Sequence, residues 1–83
     1  GDVFATVNLR SGQSLTCKAG AEIMLRSGTA AALTELSDLT SGENLLPSLA
    51  LSKNHMYVVP ASGGGISAGS DATVLVRGTY TVK

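Results

Sequence analysis

From Asp71 to Lys83 the chain alternates with period two. Ala72, Val74 and Val76 stand against Thr73, Leu75 and Arg77; beyond Gly78, Tyr80 and Val82 stand against Thr79, Thr81 and Lys83. Successive side chains of a strand point to opposite faces, so this pattern specifies a half-buried β-strand and is incompatible with the 3.6-residue stripe of a helix. Gly78 inside the run predicts a bulge or a close backbone approach. The same reading recurs upstream. "VFATVNL" (3–9) sets Val3, Ala5, Val7 and Leu9 against Thr6 and Asn8, with Phe4 breaking the polarity. "SLTCK" carries Leu15 and Cys17 inward, "AEIMLRSG" carries Ile23 and Leu25, and "ALSKNHMYVVP" brings β-branched and aromatic residues up to Pro60.

Residues 29–46, "TAAALTELSDLTSGENLL", are ambiguous. Ala32, Leu36 and Leu39 share one helical face, but Thr34, Ser37, Asp38, Thr40, Ser41 and Gly42 crowd in turn formers. The reading is an extended passage to about Leu33 and then a loop, with at most one helical turn near Glu43–Leu46 that Ser41 would cap. Strand runs at roughly ten-residue spacing, separated by Gly-containing turns, predict an all-β fold. The expected architecture is a small sandwich, roll or barrel of about six to eight short, mostly antiparallel strands. A weak internal repeat supports two sheets or two hairpins. "AGAEIMLRSGT" (19–29) matches "AGSDATVLVRGT" (68–79) once one residue is inserted, each copy ending on Arg and then Gly-Thr.

Eighty-three residues make one domain, 1–83, that buries roughly 60–65% of its unfolded surface. The hydrophobic fraction of 43% consists mainly of Ala, Val and Leu, with Phe4, Tyr57 and Tyr80 the only aromatics. A core of small side chains is thin, and such domains gain stability by oligomerising or by packing on a longer protein. The opening Gly1-Asp2, without Met, reads as a piece excised from a longer protein whose targeting segment lies elsewhere. Six basic and six acidic residues give a net charge of zero, without the basic stripe that nucleic-acid binding requires. No apolar run approaches the ~18 residues of a membrane span, which argues against direct membrane insertion. Cys17, the single cysteine, has no internal disulfide partner and alternates with polar neighbours as a small buried hydrophobe.

"PASGGGISAG" (60–69) places Gly63, Gly65 and Ala68 at the spacing of a dinucleotide-binding fingerprint, after a strand-like run. That site needs a helix after the glycines and an acidic residue about 20 positions on. A strand pattern follows instead, and Lys83 ends the chain. The segment is therefore expected to be a mobile connector between the fifth and last β-segments, with no nucleotide or other cofactor held there. His55 and Cys17 are too few soft ligands for a zinc site, and no D-x-D-x-D calcium loop or G-x-S-x-G elbow is present. No catalytic, cofactor or metal residue is assigned, and the chain is read as not an enzyme. Arg26 and Arg77 occupy matching places in the repeat. They form either a paired anion site or two strand-end arginines bound to Glu22 and Asp71. With His55 and Tyr57 they are the ligand or interface candidates.

"GAEIMLRSGTA", "DLTSGENLL", "LSKNHMYVVP" and "GGISAGSDATVLVRGTYTV" resemble the C-terminal domain of exported proteins of Clostridia and other Firmicutes. The resemblance runs from about Leu9 to Val82. It implies a signal peptide and often a heptad-like helix upstream, hence an extracellular or envelope location and an oligomer. It implies no activity and no functional residues. The resembling pattern carries Arg and Asp in the loop where this chain has "ASGGG", which argues against a ligand site there. The function expected from all of this is a structural or interaction module that mediates assembly or surface attachment. Its partners would be copies of itself or another envelope or surface protein. The alternative is a glycan- or small-ligand-binding β-module, for which exposed aromatic faces are scarce.

Overall fold

The computed structural model describes residues 3–39, 43–44 and 50–83. The chain runs through β1 (Ala5–Leu9), β2 (Ser14–Cys17), β3 (Glu22–Ser27), β4 (Ala30–Ala32), β5 (Ser37–Asp38), β6 (Glu43–Asn44), β7 (Met56–Val58), β8 (Gly64–Ala68), β9 (Ala72–Arg77) and β10 (Tyr80–Val82). Among the described residues there is no helix. A six-stranded sheet has the order β1-β9-β3-β7-β5-β6, and a four-stranded sheet the order β10-β2-β8-β4. Every pairing is antiparallel. The fold is thus a small all-β sandwich.

The strands number more than six to eight because single sequence runs divide between the two sheets. The run from Ala21 supplies β3 to one sheet and β4 to the other, and the run from Asp71 does the same with β9 and β10. Each change of sheet occurs at a glycine with positive φ, 82° at Gly28 and 120° at Gly78. Both are also close approaches. A Cβ at Gly28 would lie 2.7 Å from the Ala72 Cα, and one at Gly78 would lie 2.9 Å from the Ala21 Cβ. Only glycine meets both requirements without strain.

The alternation read from the sequence is realised as burial. Ile23 and Leu25 of β3, Val74 and Val76 of β9, and Leu15 and Ile66 of β2 and β8 are essentially solvent-free between the sheets. Leu36 and Leu51, from the segment joining the two halves, close the same core. Each such side chain contributes about 1.5–3 kcal/mol of burial free energy.

The pairing has an internal two-fold pattern. β1-β2-β3-β4 corresponds to β7-β8-β9-β10, and exchanging the two sets reproduces the order of the four-stranded sheet and of the β1-β9-β3-β7 core. The registers agree residue by residue. Ala30↔Ala68 and Ala32↔Ile66 in one half answer to Tyr80↔Cys17 and Val82↔Leu15 in the other. The hydrogen bond from Leu33 N to Gly65 O answers to that from Lys83 N to Ser14 O, and Gly69 N to Thr29 O answers to Lys18 N to Thr79 O. The pseudo-dyad passes between β3 and β9 on one side and between β2 and β8 on the other. The registers relate Ile23, Met24 and Leu25 to Val74, Leu75 and Val76, and Ser27 to Arg77. The bulge in β3 therefore adds Arg26 to the first half, whereas the sequence alignment needed its extra residue in the second.

Several expectations are corrected. "PASGGGISAG" is not a connector. Gly64–Ala68 is a central strand, hydrogen-bonded to β2 on one side and β4 on the other. Its glycines conceal the strand pattern because they answer to close approaches, Gly64 to the Thr34 side chain and Gly65 to β2. A Cβ at Gly65 would overlap the Leu15 carbonyl oxygen and lie 2.9 Å from the Thr16 Cα. Glu43–Asn44 forms β6 and not a helical turn, because it pairs with β5; Ser41, Leu45 and Leu46 lie outside the described residues. Val3 does not join the inward face of β1 and is 86% exposed. Tyr80 and Val82, set on one face of a half-buried strand by the alternation, are not buried: β10 is an edge strand whose three residues are all exposed.

Candidate functional site

The dyad decides what the two matching arginines do. Under the dyad Arg77 answers to Ser27, with Arg26 the residue added at the β3 bulge. The places matched in the sequence are thus not equivalent in the fold, and the two arginines lie at opposite ends of the β3–β9 pair. Arg77 faces Glu22 across the β3–β9 ladder, and its Nη2 donates to the Glu22 Oε1 in an ion pair. Its guanidinium carbon stands 4.8 Å from the centre of the Phe4 ring, a cation–π distance. Arg26 lies exposed at the bulge, where the strand opposite offers Thr73 and Val74 in place of a carboxylate. Asp71, the other carboxylate proposed for these arginines, accepts a hydrogen bond from Ser11 N at 3.0 Å through its Oδ1.

Tyr57 is buried in the core, and its hydroxyl accepts a hydrogen bond from Ser52 N at 3.0 Å. It pins the turn that leads into β7. His55 stands between that turn and the strand, its Nδ1 3.1 Å from Lys53 O. Asn54 beside it adopts φ of 64° and donates its backbone N–H to Leu25 O. The four candidates are therefore not brought together. Two are structural, one flanks a turn, and Arg26 is an exposed cation with no ion pair among the described residues.

Two surface cavities are among those lined by the described residues. The larger, about 370 Å³, lies where the β1–β2 turn meets the start of β9, and its lining includes Asn8, Arg10, Gln13, Ser27, Asp71 and Thr73. Several of its polar atoms already have partners. Gln13 Oε1 accepts from Arg10 N at 2.8 Å, and Asn8 Oδ1 accepts from Thr73 Oγ1 at 3.1 Å. The smaller, about 160 Å³, is bordered by Thr16, Cys17, Lys18 and Tyr80. Burial pushes the Cys17 thiol up from 9.0 to about 11, so the thiolate that nucleophilic chemistry requires is disfavoured. Neither lining joins a nucleophile to a histidine base, and the described residues contain no group of three metal-ligating side chains. The cavities offer hydrogen bonding to a small polar molecule.

The remaining feature is backbone. The segment between the two halves covers one flank of the sandwich: β5 pairs with β7, while Ala50 bridges Ala31 and Leu51 N donates to Ala30 O, covering β4. On the flank related by the dyad, β1 and β10 end their sheets with no further strand among the described residues. Exposed Val3, Tyr80 and Val82 accompany those edges. Sequence reading missed this site because an edge is defined by the absence of a neighbour, which no local pattern records. No family model, curated protein or solved structure matches the chain.

Proposed function

We propose that this chain is a non-enzymatic β-module that mediates assembly of an exported bacterial protein, or its attachment to a surface. The observation that carries the reading is the flank formed by β1 and β10, two strand edges without a pairing neighbour among the described residues. Such an edge presents a row of backbone donors and acceptors that pairs readily with another chain. A neutral net charge leaves no bulk repulsion to oppose association. The setting in an exported protein rests on the resemblance to the Firmicutes domains, and locating the full-length protein by cell fractionation tests it.

Assembly is tested by sedimentation velocity of the domain over a wide concentration range. A rising sedimentation coefficient is expected; a strict monomer, alone and joined to its natural flanking sequence, overturns the reading. A glycan-binding alternative draws on the polar cavity around Arg10, Gln13 and Asp71. It lacks an aromatic platform at that cavity, and an empty glycan array removes it.

A further inference from the structure

We infer that two copies of this chain join edge to edge through β1, about a two-fold axis at Val7, so that Thr6 of each copy pairs with Asn8 of the other. The inference rests on the assembly reading and specifies its surface, its register and its occupant.

The pseudo-dyad identifies which backbone groups of β1 face outward. In β7, Val59 N donates inward to Ala21 O, whereas Met56 O accepts from Leu39 N on the far side. Backbone groups alternate along an antiparallel strand, so Tyr57 and Val59 face β3 while Met56 and Val58 face the covering segment. Their equivalents in β1 are Val7 and Leu9, which face β9, and Thr6 and Asn8, whose N–H and C=O groups point away from the sheet. Two copies can satisfy these groups mutually. With the axis at Val7, Thr6 lies opposite Asn8 of the second copy and Asn8 opposite Thr6 of the second copy. Each pair exchanges both of its hydrogen bonds, and the two six-stranded sheets become continuous.

Three observations favour a second copy as the occupant. The β1 run from Val3 to Leu9 contains no charge and no proline, and the register along its pairing with β9 is regular, without a bulge. These are the devices by which soluble sheets protect an edge, and an identical copy meets no repulsion here. Among the described residues, three of the five exposed large hydrophobic side chains, Val3, Tyr80 and Val82, belong to this flank. Short connections, from Ala32 to Ser37 and from Leu51 to Met56, place the β4 and β7 edges on one side of the molecule. The dyad therefore places β10 and β1 together on the other, and joining β1 to its copy brings the exposed β10 residues towards theirs. An isologous two-fold contact also closes on itself and does not propagate into a fibre.

Sedimentation equilibrium of the chain and two variants tests the inference, with amide exchange read at low and high concentration. Thr6→Pro removes an N–H that points away from β9, so the fold is retained while dimerisation weakens at least about tenfold. Thr6→Lys/Asn8→Lys leaves the backbone unchanged and sets like charges directly opposite each other across the axis; it abolishes the dimer even where the proline variant fails to fold. Arg26→Gln, away from the flank, leaves the dimer unchanged. In the native chain the Thr6 and Asn8 amides gain protection as concentration rises. A monomer up to roughly 1 mM overturns both this inference and the assembly reading. A dimer indifferent to both β1 variants overturns only the inference. Protection of Thr6 and Asn8 that is independent of concentration does so as well, because the edge is then closed within one chain.

Discussion

Gly65→Ala is the most searching test of the fold, because it places one methyl group where two backbones meet. Gly65 lies opposite Thr16 in the β2–β8 pair, next to the Leu15–Ile66 pair through which the pseudo-dyad of the four-stranded sheet passes. The new Cβ would overlap the Leu15 carbonyl oxygen and stand 2.9 Å from both the Leu15 carbonyl carbon and the Thr16 Cα. Every obstructing atom is main chain, so no side chain can rotate out of the way and the strands must separate. Overpacking of this kind costs about 1–3 kcal/mol. Losing two ladder hydrogen bonds adds about 1 kcal/mol each. Restricting the unfolded chain returns about 0.4–1 kcal/mol. The net destabilisation is about 3 kcal/mol, within a total stability of roughly 4–12 kcal/mol for a domain of this size.

Urea denaturation reads this directly, and thermal unfolding should fall by roughly 12–24 °C. Gly12→Ala is the control. Its φ is +89° with nothing within 4 Å of the added Cβ, so it incurs only the left-handed backbone cost of about 1–2 kcal/mol. If Gly65→Ala unfolds within about 1 kcal/mol of the native chain, or no earlier than Gly12→Ala, the close approach of β2 and β8 is wrong.

Three further outcomes are expected. Cys17, 7% exposed with its thiol raised to about 11, reacts with a thiol reagent at pH 8 only as fast as the domain opens. Because the folded thiol holds its proton above the unfolded value of 9.0, stability is intact below pH 9. It falls by about 2–3 kcal/mol as pH rises towards 11; Cys17→Ala removes that slope in denaturation curves measured across the range. Tyr57→Phe leaves Ser52 N–H without its acceptor, costs about 0.5–1.5 kcal/mol, and speeds hydrogen exchange at Ser52. A double-mutant cycle on Glu22→Gln and Arg77→Gln gives a coupling of about 0.5–1 kcal/mol that shrinks in high salt, since Arg77 is partly exposed.

Much of the fold was legible in short stretches of sequence. Val74 and Val76, or Leu15 and Cys17, declare a buried face because strand periodicity is local and the residues themselves carry it. The Gly-Thr corners at Gly28 and Gly78 and the matching arginines were visible for the same reason. Their consequence was not: only the antiparallel pairing of the two copies sends Arg26 and Arg77 to opposite ends and gives Glu22 to one of them. Gly64–Ala68 illustrates the converse. Glycine carries almost no strand signal, so a central strand selected for close approach reads locally as a loop.

The amino-acid sequence by itself thus determined the class of structure, the inward face of each long strand and the absence of a phosphate-binding helix, because each depends on neighbouring residues alone. The tertiary structure decided which strands lie side by side, why β8 must be glycine-rich, and that β7 and β4 are covered while β1 and β10 have no further strand beside them among the described residues. Those properties depend on which distant segments meet, and the hydrogen bonds that fix them are made by backbone groups that every residue but proline carries alike.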